Sequence, residues 1–304
     1  MKILIIGGTG HMGSHLTPIL VSQGHSVYIA TRGNKPTIGE DFRGAEFITC
    51  DASDENSLNQ VANSYKFDAV VDFPGTGFTT WNVFKDKVSH IVVCGSLWMF
   101  GRPNVVPTPE TTQSECPFLN YAKRYAEIEK MRSESGKYKA VFTAIMPPNI
   151  CGPGKIPLDT SGGRCIDVHR AVVSGATVYL PDGPETLISP CDAYDLAMLF
   201  ALALNQREVA AGEIFNGGSN YAMPVTQFVK TYGKIYNVEI PIKYVPWEEY
   251  KTKINPSIGA WWHFYSHMCP DISKSKRLLG YEPKYTPEQA MERAVGWMKE
   301  QGIL

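Results

Sequence analysis

Glycines stand at positions 7, 10 and 13 of the stretch Gly7-Gly8-Thr9-Gly10-His11-Met12-Gly13, directly after the apolar run Ile3 to Ile6 and before a helix-length segment. Between a strand and a helix, that spacing suits the binding of an anion. Gly7 permits a tight turn, Gly10 lets backbone approach the ligand, and Gly13 lets helix and strand pack closely. The helix N-terminus, with Thr9, His11 and Met12 around it, offers free N–H groups. The chemistry implied is the holding of a pyrophosphate, and the expected cofactor is a dinucleotide, NAD or NADP.

The next apolar run ends in Ala30-Thr31-Arg32-Gly33-Asn34, where an NAD site usually carries an acidic residue for the ribose 2′-hydroxyl. No acidic residue is there. The Arg32 fork suits a 2′-phosphate and Thr31 adds a hydroxyl, which favours NADP over NAD; the plain alternative is a solvated loop charge. Asp51, in Thr49-Cys50-Asp51, is placed either to reach the adenine or to serve a helix cap or turn.

Other chemistry-bearing groups carry less. His263 and His267 lie at i and i+4 with Cys269 nearby, but no further ligand or HExxH glutamate accompanies them, so no metal is expected. Cys165, Asp167 and His169 are too close in sequence for a nucleophile and its base, and read better as a helix start with Asp167 near its N-terminus. The second glycine of a GxSxG elbow is missing after Ser96. Trp98, Phe118, Trp261, Trp262, His263, Phe264 and Tyr265 read mainly as core, with some available as an apolar wall or sugar-stacking platform around a substrate.

These groups need elements to hold them. Short β-branched runs at 3–6, 26–30, 45–49, 69–72, 90–94 and 140–145 alternate with helical segments at 13–23, 54–64, 81–88 and 121–135. The pattern predicts an α/β fold, a doubly wound parallel Rossmann sheet with its ligand crevice at the strands' carboxyl ends. From Pro147 to Gly163 prolines and glycines gather into a long loop over a site. Beyond it, helices at 192–204, 225–236 and 287–301 and strands at 213–216 and 240–245 predict a smaller mixed α/β substrate domain. The expected division is 1–146 for the dinucleotide, with parts of 185–220 returning to it, and a discontinuous 147–304 mainly for the substrate.

Motif by motif, the chain resembles the extended short-chain dehydrogenase/reductase family, including its atypical relatives, with their NAD(P)-dependent epimerases and dehydratases. Gly7 to Gly13 is similar to its GGTGxxG turn, Ser96 to Gly101 to its SxxVYG segment, and Pro147 to Gly154 to its RPxNxYGPG loop. The stretches Cys191 to Ala197 and Asp271 to Tyr281 resemble later landmarks. The resemblance implies that Tyr121 passes a proton to or from a substrate oxygen which Ser96 orients, while nicotinamide exchanges hydride. Pro147 is expected at the cofactor, and Trp98, Asn149 and Lys155 at the substrate, Asn149 either holding it or ordering the site; the resemblance implies a homodimer paired through the helices 81–88 and 121–135.

The family's lysine, four residues after the tyrosine, is replaced here by Tyr125, with Lys123 turned to another face. A phenol ordinarily titrates near ~10, so its use as a base asks for a nearby cation, for which Lys155 or Arg164 is a candidate. Tyr125 retains the ability to hydrogen-bond the nicotinamide ribose.

The net charge of −1 over 304 residues gives no broad field for nucleic acid. No apolar run is long enough to span a bilayer, so no membrane partner is expected. Seven cysteines without a CxxC pair suit a reducing, cytoplasmic setting. The function expected is an NAD(P)-dependent oxidoreductase or epimerase acting on a hydroxyl or carbonyl of a small polar, possibly sugar-like molecule. The competing readings are a nucleotide-binding sensor without turnover and, weakest, an RNA-binding relative.

Overall fold

The computed structural model describes residues 1–33, 36–38, 42, 44–112 and 114–304. Its N-terminal part alternates β1 (Lys2–Ile6), α1 (His11–Ser22), β2 (Ser26–Thr31), β3 (Ala45–Thr49), α2 (Glu55–Ser64), β4 (Ala69–Asp72), α3 (Gly77–Phe84), β5 (His90–Cys94), α4 (Leu119–Glu134) and β6 (Val141–Met146). There follow β7 (Asn149–Cys151), α5 (Ile166–Val173), β8 (Val178–Pro181), β9 (Leu187–Ile188), β10 (Pro190–Asp192), α6 (Ala193–Asn205), α7 (Arg207–Ala210), β11 (Glu213–Asn216) and, later, α8 (Val225–Tyr236).

Seven strands form one parallel sheet in the order β11-β6-β5-β4-β1-β2-β3. The doubly wound expectation holds. Order reverses between β1 and β4, and the carboxyl ends of those strands open the crevice in which such sheets take ligands. Side chains alternate across the sheet. Leu4 and Ile6 face a core with Trp81 and Phe84 of α3 and Ile128 and Met131 of α4, while Ile3 and Ile5 face α1 and α6. A third core joins α5, α8 and the terminal helix Pro287–Glu300 through Val172, Phe228, Tyr232, Met291 and Met298.

One helix is displaced from its expected place. α3 spans Gly77–Phe84, not 81–88. Gly75 and Thr76 donate their backbone N–H groups to Asp72 Oδ1 at 3.2 and 3.1 Å, and the Thr76 and Thr80 hydroxyls donate to Oδ2 at 2.6 and 2.7 Å. The buried carboxylate thus winds the chain into a helix a turn early. α5 begins at Ile166 with Asp167 in its first turn, as the composition of that segment implies.

Candidate functional site

The first contributor is the turn between β1 and α1. Gly7 adopts φ +78°, a conformation that costs a side chain dearly, and Gly10 N–H donates to Gly7 O at 3.0 Å. A Cβ on Gly13 would run into Gly7 O and the Gly8 backbone. Gly10 caps α1 without a side chain, and no acidic residue sits in the first turn, so the dipole's positive end is left for a ligand.

His11 Nε2–H donates to Gly152 O and His15 Nε2–H to Pro153 O, both at 3.3 Å. These bonds tie the start of α1 to the loop after β7. Burial, reinforced by Arg164, pushes His11 down to about 3 and keeps it neutral.

At the end of β5, Ser96 caps the short turn Leu97–Phe100, its Oγ accepting from Trp98 N–H at 3.3 Å. Leu97 N–H donates to Pro147 O at 3.0 Å, which joins this segment to the loop after β6. Trp98 stacks on Phe118 with ring centres 4.7 Å apart, and its ring centre lies 5.6 Å from that of Tyr121 and 4.9 Å from that of His263.

Asn149 Nδ2–H donates to His263 Nδ1 at 3.0 Å, while Asn149 Oδ1 is buried with no partner. Burial lowers His263 to about 3, so the ring is neutral and, with Nδ1 accepting, carries its proton on Nε2.

A cleft of about 700 Å³ brings these pieces together. Gly7, Gly10, His11, Met12, Gly13, Ser96, Trp98, Tyr121, Pro147, Asn149 and Lys155 all line it. So do Arg124, Arg164 and His263. Among the described lining residues are three cationic side chains and no carboxylate. A smaller cavity of about 190 Å³ continues past Gly7 and is lined by Thr9, Thr31, Arg32 and Asp51. The expected residues therefore fall along one connected track, with one departure: the Tyr125 ring packs edge-on against Phe100, 5.6 Å between centres, and lines neither cavity.

Several details refine the expectations. Asp51 Oδ1 accepts from Ser53 N–H and Ser53 Oγ–H at 3.0 and 2.6 Å, bonds that hold its carboxyl below the usual range. It thus makes the turn while facing the smaller cavity. Lys123 points outward to Glu127, 3.7 Å away. Arg164 donates to Ile156 O and Ile150 O, each at 2.8 Å, and so braces the loop. Lys155 lies along the same cleft, its ammonium pushed down by partial desolvation and by Arg164.

Arg124 is a charged lining residue that sequence reasoning gave no place in the cleft, whereas His263 belongs to the aromatic set expected there. Arg124 shares the Tyr121 face at i+3, a signal that was available; His263 arrives from a distant segment, and its pairing with Asn149 gave none. His263 and His267 do not converge on a metal: His267 Nδ1 accepts from Leu187 N–H at 3.1 Å, and no group of three metal-type ligands occurs among the described residues. Cys165, Asp167 and His169 are likewise apart, with Asp167 beside Arg170 and His169 bonded to the Tyr236 hydroxyl at 2.8 Å.

Residues 3–87 match the NAD dependent epimerase/dehydratase family. That match agrees with the resemblance to the extended short-chain dehydrogenases/reductases. UDP-arabinose 4-epimerase 1 of Arabidopsis thaliana is 24% identical over 98% of this chain and 79% of its own. UDP-glucose 4-epimerase of Corynebacterium glutamicum is 23% identical over 94% and 92%. The crystal structure of a Thermotoga maritima UDP-glucose 4-epimerase superposes with a TM-score of 0.78 at 20% identity, covering 99% of both chains. That of dTDP-glucose 4,6-dehydratase from Bacillus anthracis gives 0.77 at 16%, over 99% and 97%. The likeness in fold thus extends over the whole chain, in keeping with the expectation of an enzyme of the extended short-chain type.

No helix among the described residues is long and apolar enough to cross a membrane. All seven cysteines are free thiols.

Proposed function

We propose that the protein is a nicotinamide-dinucleotide epimerase that acts on a hydroxyl-bearing carbon of a nucleotide-sugar. The observation that carries this is the cleft itself: the open N-terminus of α1, the Ser96 and Tyr121 hydroxyls and three cations share one cavity, with no carboxylate among its described lining residues. Such a lining suits a ligand with two anionic parts, a dinucleotide and a sugar diphosphate. The named relatives act on UDP-sugars, in keeping with that class.

The residues fit a dinucleotide. The glycine cradle leaves no room for a Cβ at position 13, and the α1 N–H groups meet the pyrophosphate. When bound, nicotinamide supplies the exchange of hydride. The chain's own groups do the rest. Ser96 orients the reacting oxygen and Tyr121 moves its proton, while Trp98 and Lys155 flank the sugar and its phosphate. Asn149 Oδ1, buried without a donor, accepts from a substrate hydroxyl. At the adenosine end Arg32 meets a 2′-phosphate, with Asp51 and Thr31 beside it, so NADP is preferred over NAD.

The proposed division assigns 1–146, with parts of 185–220, to the nucleotide and mainly 147–304 to the substrate, on the strength of the separate core under the later helices. We also assign the protein to the cytoplasm, where free thiols persist, as a homodimer paired through α3 and α4, at whose start Leu119 is 86% exposed. Light scattering that finds only monomer would remove the dimer.

A second reading, a nucleotide sensor without turnover, draws on the Tyr125 ring, which packs on Phe100 at the family's lysine position. One experiment separates the two. Purified protein is titrated with NADPH and NADH by fluorescence, then incubated with UDP-glucose and UDP-arabinose beside Tyr121→Phe. Epimer formation lost in Tyr121→Phe supports the enzyme; binding without conversion of either sugar nucleotide supports the sensor; no binding ends both.

A further inference from the structure

Arg124 is held in place from two sides. On one, its guanidinium lies on Gly75, which has φ +89°; a Cβ there would come within 2.6 Å of Arg124 Cζ and 2.7 Å of Nη2, so only glycine leaves the seat open. The Gly75 turn is itself wound around Asp72, whose buried carboxylate collects four hydrogen bonds from Gly75, Thr76 and Thr80. On the other side, Arg124 Nη2–H donates to Cys94 O at 3.0 Å, at the end of β5. The ring centre of Tyr121 lies 5.7 Å from Cζ.

Among the described residues the remaining donors of the guanidinium meet no protein acceptor, and Arg124 makes no ion pair there. None of its nitrogens is among the buried unpartnered atoms, so the spare donors of this half-buried arginine are open to the cleft and free to meet a polar ligand. Arg124 lines the large cleft together with Pro74, Gly95, Ser96 and Tyr121. Gly7 and Pro74 line both cavities, so the glycine turn divides the track, with Arg32 on one side and Arg124 on the other.

Resting on the dinucleotide reading above, we propose that Arg124 is a binding residue for the nicotinamide half of the cofactor. It donates to the sugar hydroxyls beyond the pyrophosphate and turns the nicotinamide toward Tyr121 and Ser96. Arg32 and Arg124 then act as a pair of terminal clamps, one on each nucleotide, with the α1 N-terminus between them. The buried Asp72 is a positioning residue that shapes the seat and touches no ligand.

The assignment predicts a selectivity that general damage would not produce. Binding of NADH and of ADP, which lacks the nicotinamide half, is measured by calorimetry on the native protein, Arg124→Gln and Arg124→Lys, with thermal midpoints as a folding check. The expected result is about tenfold weaker NADH binding in Arg124→Gln with ADP unchanged, the loss of one or two charge-assisted hydrogen bonds, and partial recovery in Arg124→Lys. Equal weakening of NADH and ADP, or no weakening of either, overturns the role of Arg124. Failure of the native protein to bind NADH, NADPH or ADP overturns the dinucleotide reading, and the assignment with it.

Discussion

Asn149 donates through Nδ2 to Nδ1 of His263 at 3.0 Å, across 114 residues of sequence. The contact fixes the amide, leaving Oδ1 buried without a donor, and it fixes the imidazole so that its proton sits on Nε2. Two residues of ordinary type become a matched acceptor and donor beside Trp98 and Tyr121.

His263 shares its depressed pKa with His11 and His90, each lowered from 6.5 to about 3, with burial the leading cause. A histidine kept neutral in the fold takes its proton first in the unfolded chain. Its contribution to stability is therefore full above about pH 6.5 and drains away as pH falls toward 3. His263→Phe keeps a ring against Trp98 and removes this titration. The thermal midpoint of the variant is expected to approach that of the native protein as pH is lowered from 7 to 4; a gap independent of pH would refute the prediction.

Arg32→Ala is expected to weaken NADPH by about tenfold while leaving NADH nearly untouched, since only the phosphorylated ribose meets the guanidinium. Fluorescence titration with both nucleotides reads this directly. Equal affinities in the native protein would show Arg32 to be a solvated loop charge.

Tyr121→Phe removes only the hydroxyl and leaves the ring against Trp98 and Phe118. Epimer formation should fall by about 10²–10⁴-fold with NADPH affinity unchanged, the mark of a group that acts in proton transfer. Chromatography of the sugar-nucleotide products measures the first quantity, and a variant as fast as the native protein removes Tyr121 from the chemistry.

Gly13→Ala puts a methyl group against Gly7 O and the Gly8 backbone. Helix and turn must separate to admit it, at a cost of about 1–3 kcal/mol, and the displaced N–H groups lose the pyrophosphate. Denaturant unfolding and nucleotide titration should both register the change; normal binding by the variant would mean the cradle lies elsewhere.

Much of this arrangement was legible because it is local. The runs at 69–72, 90–94 and 213–216 are strands with those bounds, and α8 is the helix at 225–236, since apolar periodicity there agrees with the sheet and core it joins. The glycine turn could be read from spacing alone. The start of α3 could not, because the winding force is the Asp72 side chain reaching forward to Thr76 and Thr80, and propensity scales carry no such term. The pairing of His263 with Asn149 was hidden because Asn149 lies in β7, far away in sequence. The total charge of −1 concealed a cleft that gathers Arg124, Lys155 and Arg164, because a sum over the chain says nothing of where charges meet.

The sheet is closed at one side by β11, which pairs with β6 in register from Glu213 opposite Thr143 to Asn216 opposite Met146. Asn216 then fastens the edge, its Nδ2–H donating to Thr108 O at 2.9 Å and Asp271 O at 3.1 Å, while its backbone N–H donates to Glu110 Oε1 at 2.9 Å. On a ribosome this has an order in time. The first six strands emerge and can pair among themselves, yet β6 keeps a bare hydrogen-bonding edge until some seventy more residues have been made, and Asn216 waits longer still for Asp271. A nascent chain stalled in that interval offers a sticky parallel edge to its neighbours, so translation speed through 147–216 sets how long the polypeptide is vulnerable to aggregation.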